Sequence, residues 1–592
     1  MVTKSNWKFL IKICAFRRRS VSEGKEGMRL FMNKKWECYQ TDEEKVKKMA
    51  KEYNISPLIA TILVNKNLEE KKDIDKFLNP TRNDFYDPYL MPDMEIAINR
   101  IIEAIEKREK IIIYGDYDVD GITSITVLKK FLLERGAIVD DYIPNRLDEG
   151  YGLNKEAIKK IVEEKYTLMI TVDCGISGID EVEYANSLGL ETIITDHHEQ
   201  AEKLPRALAV VDAKRKDNKY PFNQLAGVGV VFKLIQGIGI KLNLEEKEYL
   251  KFLDLVCVGT ISDIVPLVDE NRVIAKLGLK LVKVTKNIGL KTLLNSIGYK
   301  NIDSTCVSFG LAPRINACGR MGHQEEALKL FLTEDPNEAG RIANKLNEYN
   351  RERQEKEKKI FTEALEMIKN DKNDKPCIIL AGENWHHGVI GIVASKVTEM
   401  YFKPSILICL EDDEGKGSGR SIPGFDLHEA LSKCDKYIKK FGGHSMAIGI
   451  TIKKDEFSKF KEQFEEYASS CNIDKIVPVI HIDEEVSLRN INKEVVKELS
   501  LLEPFGEGNK MPLFLYKNLK IHSIRALSEG KHLKLTLKDD NYMIDAIGFN
   551  MGELANEYLI GNKVDIVGTL EINNFNNNDN IQINLKDIRK SY

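Results

Sequence analysis

The stretch Tyr114-Gly-Asp-Tyr-Asp-Val-Asp-Gly121 places Asp116, Asp118 and Asp120 at every second position, directly after the apolar run Lys110–Tyr114. Asp173 closes a second apolar run, in Thr171-Val-Asp-Cys-Gly175. Asp196 closes a third and is followed by His197 and His198. Carboxylates with an imidazole suit manganese or magnesium better than zinc or copper. Left ionised and unpaired together, so many carboxylates would cost several kcal/mol, and divalent cations resolve that cost. There are enough ligands for two ions. A two-metal site activates water and stabilises both the attacking and the leaving oxygen of a phosphoester displacement. A calcium loop is the first competing reading. An EF-hand, however, has no preceding strand and takes Glu at its twelfth position, which is Val127 here. A lone Asp after a strand is also an ordinary helix N-cap. The set of aspartates together with two histidines is what argues for metal.

The elements that position these groups follow from periodicity. Short apolar runs at 110–114, 138–143, 167–172, 191–195 and 208–211 read as strands. They alternate with helical patterns at 122–134, 154–164 and 179–188. That alternation predicts an α/β fold, a doubly wound and mostly parallel sheet. Ligands of such sheets bind beyond the carboxyl ends of the strands, where the aspartates fall. Residues 223–298 read as mainly helical, with Asp263 in a break between two helices. Arg341–Lys369 has no Gly or Pro and reads as one long solvated helix joining two lobes. A second α/β unit begins near Pro376. After Ile476 the alternation at 533–537, 544–547, 564–570 and 581–588 predicts a small antiparallel barrel, with the Asn-rich 573–580 as a turn or loop. The expected division is an N-terminal extension over 1–40, read as a poorly ordered tail with a transit-like peptide or a start at Met28 or Met32 as alternatives, and a helical region over 41–108. A catalytic domain over 109–325, a connecting helix over 326–374, a second α/β domain over 375–474 and the barrel over 475–592 complete it.

Composition narrows the class. The 592 residues carry 88 basic and 92 acidic side chains, a net charge of −4, with 30% charged and 43% hydrophobic residues. This is an ordinary globular composition, long enough for several domains. No run of 18 apolar residues occurs, so no transmembrane helix and no membrane partner are expected. The ten cysteines form no CxxC pair. That argues against a zinc ribbon and fits reduced thiols in a cytoplasm.

The chain resembles the DHH phosphoesterase superfamily through Gly115-Asp-Tyr-Asp-Val-Asp-Gly121 and Asp196-His197-His198. Within that superfamily it resembles the RecJ family. The motifs that carry this likeness are Ile143-Pro-Asn-Arg146, Gly259-Thr-Ile-Ser-Asp263, Ala312-Pro-Arg-Ile-Asn-Ala317, Trp385-His-His-Gly388, Gly417-Ser-Gly-Arg-Ser421 and Phe441-Gly-Gly-His444, in that order. The resemblance implies an exonuclease that degrades single-stranded DNA 5′→3′ to mononucleotides in repair and recombination. It also implies two divalent ions, manganese or magnesium, a C-terminal barrel of the OB type, and, as partners, a helicase and a single-strand-binding protein. A monomer is the default state.

By the same resemblance Asp118, Asp120, Asp173, His197 and Asp263 hold the metals, with Asp173 as the bridge. Asp116 is a further ligand or an electrostatic partner, and Asp196 and His198 serve beside the ligands or on the phosphate. The attacking water is activated by metal rather than by a side-chain base. Ser418 and Arg420, with Arg146 from the first lobe, are candidates for the terminal 5′-phosphate, because small residues, backbone N–H groups and a guanidinium suit it. Arg314, Asn316 and Arg320 are phosphate candidates or interdomain ties, and His444 is expected to face substrate. His386, Arg525, Lys531 and Lys534 are candidates for nucleic-acid contact. The alternative from the same superfamily is a phosphodiesterase for short oligoribonucleotides or cyclic dinucleotides. A non-catalytic scaffold would not need the full set of acidic residues.

Overall fold

The computed structural model describes residues 34–145, 152–371, 375–575 and 578–591. Near the N-terminus β1 (Lys35–Cys38) precedes three helices, Glu43–Tyr53, Pro57–Asn65 and Lys71–Leu78. The first sheet comprises β2 (Lys110–Gly115), β3 (Ile138–Tyr142), β4 (Leu168–Val172), β5 (Glu191–Asp196) and β6 (Ala209–Asp212). All its pairings are parallel, in the order β3-β2-β4-β5-β6. Alternate residues of β2 point to opposite faces. Ile111 and Ile113 enter the larger core with helices Met94–Glu106, Val119–Leu133 and Gly227–Lys241. Ile112 and Tyr114 enter a smaller core with helices Lys155–Glu163 and Ile179–Ser187. Burial on both faces is why these strands read as continuous apolar runs.

The connecting helix runs from Pro336 to Asn370 and is not simply solvated. One face buries Ala339, Ile342, Ala343, Leu346, Ile360 and Ala364, and also Asn350, Arg353 and Glu357. Periodicity missed this face because polar residues occupy part of it. The second sheet holds β7 (Ile378–Glu383), β8 (Ser405–Glu411), β9 (Glu414–Arg420), β10 (Lys440–His444) and β11 (Ala447–Lys453), in the order β10-β11-β9-β8-β7. Only β7 and β8 pair in parallel.

The C-terminal unit starts with β12 (Val479–Ile482), which pairs with β1, and β13 (Glu484–Glu485). The strands β14 (Phe514–Leu527), β15 (His532–Asp539), β16 (Tyr542–Gly548), β17 (Lys563–Phe575) and β18 (Asn578–Lys590) follow. Pairing of β14 with β17 closes the barrel. Two readings need correction here. The Asn-rich stretch 573–580, expected as a turn or loop, is strand at 573–575 and 578–580, the paired ends of β17 and β18. β14 was not anticipated, because its second half alternates too weakly. The helices at 43–78 pack on this barrel: Val46, Met49, Ile59, Leu63 and Phe77 share a core with Phe514, Leu535 and Ile566. The helix Met94–Glu106 belongs instead to the first sheet's core. The described residues of the expected N-terminal region therefore divide between two cores. Among the described residues no helix is long and apolar enough to cross a membrane, and the described cysteines are free thiols.

Candidate metal centre and phosphate site

Three strand ends bring the acidic groups together. Asp116 follows β2, Asp173 follows β4, and Asp196 is the last residue of β5 with His197 after it. Register places β2, β4 and β5 side by side with their carboxyl ends level. Asp263 arrives from the C-terminal end of helix Leu253–Ser262. Asp116, Tyr117, Asp118, Asp173, His198, Asp263, Asn316 and Arg320 line one pocket of about 280 Å3.

Within it, ligand atoms of Asp116, Asp118 and Asp173 lie within 4.8 Å of one another, as do those of Asp120, His197 and Asp263. A third such group, Asp173, His197 and His198, joins the other two. His197 Nε2 is 3.1 Å from Asp173, 3.7 Å from Asp263 and 3.8 Å from Asp120. Both ring nitrogens of His197 are buried without a hydrogen bond. Burial, then the charge of His198, pushes its pKa down to about 3, so the ring is neutral and fit to ligate. Burial, then the charges of Asp120 and Asp118, raises Asp263 to about 9 and lifts Asp173 well above the carboxylate range. Burial and Asp118 raise Asp120 to about 7. Crowded carboxylates and an unsatisfied buried imidazole are a hard-donor set that divalent manganese or magnesium fits.

Local structure fixes each group. Asp118 caps the helix Val119–Leu133, its Oδ1 accepting from Asp120 N and Gly121 N at 2.9 and 3.1 Å. Helix Gly227–Lys241 has no side-chain cap of its own. Asp120 serves it from a distance, accepting from Gly227 N at 2.6 Å and Val228 N at 2.8 Å. Asp173 has a left-handed backbone, φ 58°. Its side chain packs so close to Gly227 that a Cβ there would lie 2.8 Å away, which is why glycine opens that helix. Asp196 turns away from the cluster. It accepts from Ile176 N at 2.9 Å and His197 N at 2.8 Å, and its Oδ1 lies 2.7 Å from His198 Nδ1. Burial opposes the charge on His198, but Asp196 outweighs it and holds the imidazolium to about 9.

The other anticipated residues fall in several places. Asn316 accepts from Val119 N at 3.2 Å and faces the metal pocket. Arg320 also faces it, and its Nη1 donates across the lobes to Gly388 O at 2.9 Å. Arg314 is directed away, donating to Asn347 Oδ1 at 2.6 Å and Gly310 O at 2.7 Å. Ser418 and Arg420 lie on β9, not on a loop. β9 is paired on both sides, so its backbone amides form no anion nest and the side chains alone face a ligand. Arg420 Nη1 donates to Ser418 Oγ at 3.0 Å. A Cβ on Gly391 would lie 3.0 Å from Ser418 Oγ and 3.3 Å from Arg420 Nη2. Gly388 and Gly391 are about one turn apart on helix His387–Tyr401. That helix start therefore brings Arg420 and Ser418 close to Arg320 and the metal pocket.

His386 caps the same helix, Nδ1 accepting from Gly388 N at 3.2 Å. Phe441–His444 lies in the edge strand β10, with His444 exposed at its end. Arg146 lies outside the described residues. Arg525 and Lys534 line a barrel groove of about 860 Å3 with Tyr542 and Met543, whereas Lys531 sits exposed in the β14–β15 turn. Sequence reading missed Arg353. It is buried on the connecting helix, bonded to Glu357 and Asn350, and lines a groove of about 570 Å3 that shares Asn316 and Arg320 with the metal pocket. Its place in a charge-rich run gave no signal.

Comparison with known proteins agrees with this geometry. The sequence matches the DHH family N-terminal domain over residues 110–260, the DHHA1 domain over 373–470 and the RecJ OB domain over 482–587. It is 40% identical over 561 residues to the single-stranded-DNA-specific exonuclease RecJ of Bacillus subtilis, covering 93% of this chain and 70% of that protein. The RecJ of Thermus thermophilus is 35% identical over 488 residues, 82% of this chain and 70% of that protein. The crystal structure of Thermus thermophilus RecJ in complex with Mn2+ superposes with a TM-score of 0.82 at 30% identity, covering 94% of this chain and 80% of that one. A second structure of that protein contains Mg2+. With the folded domains, the order of motifs and the acidic centre all in agreement, this chain belongs to the RecJ family.

Proposed function

We infer that this chain is a metal-dependent exonuclease that degrades single-stranded DNA from its 5′ end to mononucleotides. One observation carries the reading: Arg320, on the wall of the carboxylate–imidazole pocket, donates to Gly388 O of the facing lobe, and one turn further along that helix Gly391 packs against Ser418 and Arg420. A terminal phosphate held by Arg420 and Ser418 places the next phosphodiester at the centre. Arg320 and Asn316, on the pocket wall, orient that phosphate. Asp116, Asp118 and Asp173 would hold one ion and Asp120, His197 and Asp263 the other, with Asp173 between them. When bound, two such ions polarise the phosphate and lower the pKa of the attacking water. Asp196 keeps the proton on His198 Nδ1 and leaves Nε2 to donate to a phosphate oxygen. The exposed Phe309, Ile264 and Met511 on the adjoining groove offer bases an apolar surface. Arg525, Lys534 and Tyr542 offer the rest of the strand a basic groove with one ring to stack on.

In functional terms we assign catalysis to 109–325, the connection to 326–374, terminal-phosphate capture to 375–474 and strand binding to 475–592. Monomeric action, and contacts with a helicase or a single-strand-binding protein, are further parts of this proposal. Light scattering and co-purification of the pure proteins test them.

The deciding experiment digests end-labelled single strands, with and without a 5′-phosphate, in Mn2+, Mg2+ or EDTA, beside duplex DNA and a dinucleotide RNA. Mononucleotides released from the 5′ end of single strands, only with metal, establish the reading. Inert DNA with rapid cleavage of the dinucleotide moves the chain to the small-substrate branch.

A further inference from the structure

Asp263 lies neither at a strand end of the first sheet nor in the loop and helix that follow β2. It ends helix Leu253–Ser262, and the next residue, Ile264, has φ 64° with its side chain exposed. A β-branched residue in the left-handed region is an outlier, and such a conformation persists only where its surroundings over-determine it. The constraint lies outside the catalytic domain, in Pro504-Phe-Gly-Glu-Gly-Asn509, the turn that leads into the barrel.

That turn closes on itself and then onto residues 266–268. Gly506 and Asn509 exchange backbone hydrogen bonds at 3.0 and 3.2 Å, and the buried Asn509 donates Nδ2 to Leu502 O and Pro504 O, both at 2.8 Å. Leu267 N donates to Glu507 O at 2.7 Å. A Cβ on Gly506 would lie 2.6 Å from Leu267 Cδ1. At Gly508, φ 69°, it would lie 2.9 Å from Pro266 Cβ and 3.2 Å from Val268 Cγ1. Arg272, 1% exposed, anchors the base of the turn, donating to Glu503 O at 2.9 Å.

We propose that the Pro504–Asn509 turn is a positioning device for the metal centre: it clamps residues 266–268 and thereby fixes Ile264 and holds Asp263 against His197 and Asp120. The proposal rests on the reading of Asp263 as a metal ligand. Glycine is required at 506 and 508 by the closeness of this clamp, and the strand-binding barrel and the metal centre then share one rigid support.

The test uses the full chain with Gly506→Ala, Gly508→Ala and Asp263→Asn. Bound Mn2+ is counted by electron paramagnetic resonance, and kcat and KM are measured on single-stranded DNA. For both glycine variants the Mn2+ half-saturation should rise about 10-fold and kcat should fall about 10-fold, with KM for DNA within about twofold of wild type. Adding Leu267→Ala to Gly506→Ala should recover most of the loss, since it removes the atom in conflict. Wild-type Mn2+ binding and kcat in both variants would overturn the proposal, as would a rise in KM at unchanged kcat. Should a glycine variant not fold, Leu267→Ala alone is read by the same two measurements. Asp263→Asn separates the two readings. Normal Mn2+ binding and cleavage in that variant removes Asp263 from the metal centre, whereas loss there with normal glycine variants refutes only the clamp.

Discussion

At the scale of the residue, the same carboxylates serve both structure and chemistry, in different proportions. Asp120 satisfies two orphan donors at the start of Gly227–Lys241, where the helix dipole favours its charge. Asp173 instead sits buried among like charges. Both Asp120→Ala and Asp173→Asn should reduce nuclease activity by about 1000-fold, the scale on which a metal-centred step is lost. Their metal-free stabilities should move in opposite directions. Asp120→Ala loses the cap, which costs about 1–2 kcal/mol, and melts lower. Asp173→Asn relieves repulsion and melts at or above the wild-type temperature, the expected trade-off at a functional site. Thermal melts in EDTA beside activity assays check both. Asp196→Asn, by loosening His198, should cost about 10–100-fold in activity.

At the scale of the element, two arginines from matching motifs part ways. Arg314 ties the π-helical segment Cys306–Leu311 to the connecting helix through Gly310 O and Asn347. Arg420 projects from β9 toward Gly391, in the N-terminal turns of helix His387–Tyr401. Arg420→Ala should raise KM and abolish any preference for a 5′-phosphorylated end, with little change in melting. Arg314→Ala should lower the melting temperature by a few degrees, consistent with losing about 1–3 kcal/mol of hydrogen bonding, and leave end preference intact. Competing phosphorylated and unphosphorylated strands in one digestion separates these outcomes. The buried pair Lys233–Glu270, 2.9 Å apart, couples helix Gly227–Lys241 to helix Asp269–Val282. Lys233→Met would strand Glu270 and should destabilise by about 3–5 kcal/mol in urea titration.

At the scale of the whole molecule, the chain returns on itself. Helices from 43–78 complete the barrel's core, and β1 pairs with β12. Arg272 and Lys276 then tie the first lobe to both, through carbonyls of Phe77, Leu78, Leu501 and Glu503. Removing the barrel should therefore expose 43–78 to proteolysis while the first sheet survives. Burial, with Arg272 beside it, pushes the Lys276 ammonium down to about 8. An unfolded lysine keeps its proton to about 10.4. Between these values the unfolded chain binds more protons, so this group adds stability as pH rises from about 8 to 10. Compared with Lys276→Met, wild type should gain stability across that window, as melts at pH 7.5 and 9.5 will show.

The sequence by itself determined the class of chemistry and the strand ends that carry it. Short apolar runs ending in Asp116, Asp173 and Asp196 have one sensible reading, because local periodicity and a parallel sheet oblige their carboxyl ends to converge. Tertiary structure alone decided which oxygens are already engaged. Asp196 is spent on amides and His198, Asp120 is shared with a helix more than a hundred residues away, and Arg314 is turned aside. It also placed Ser418 and Arg420 on a paired strand, recruited Arg353 from a run that looked solvated, and set Asp263 under the Pro504–Asn509 turn. Such facts depend on contacts between segments far apart in the chain, and residue type and spacing carry no record of them.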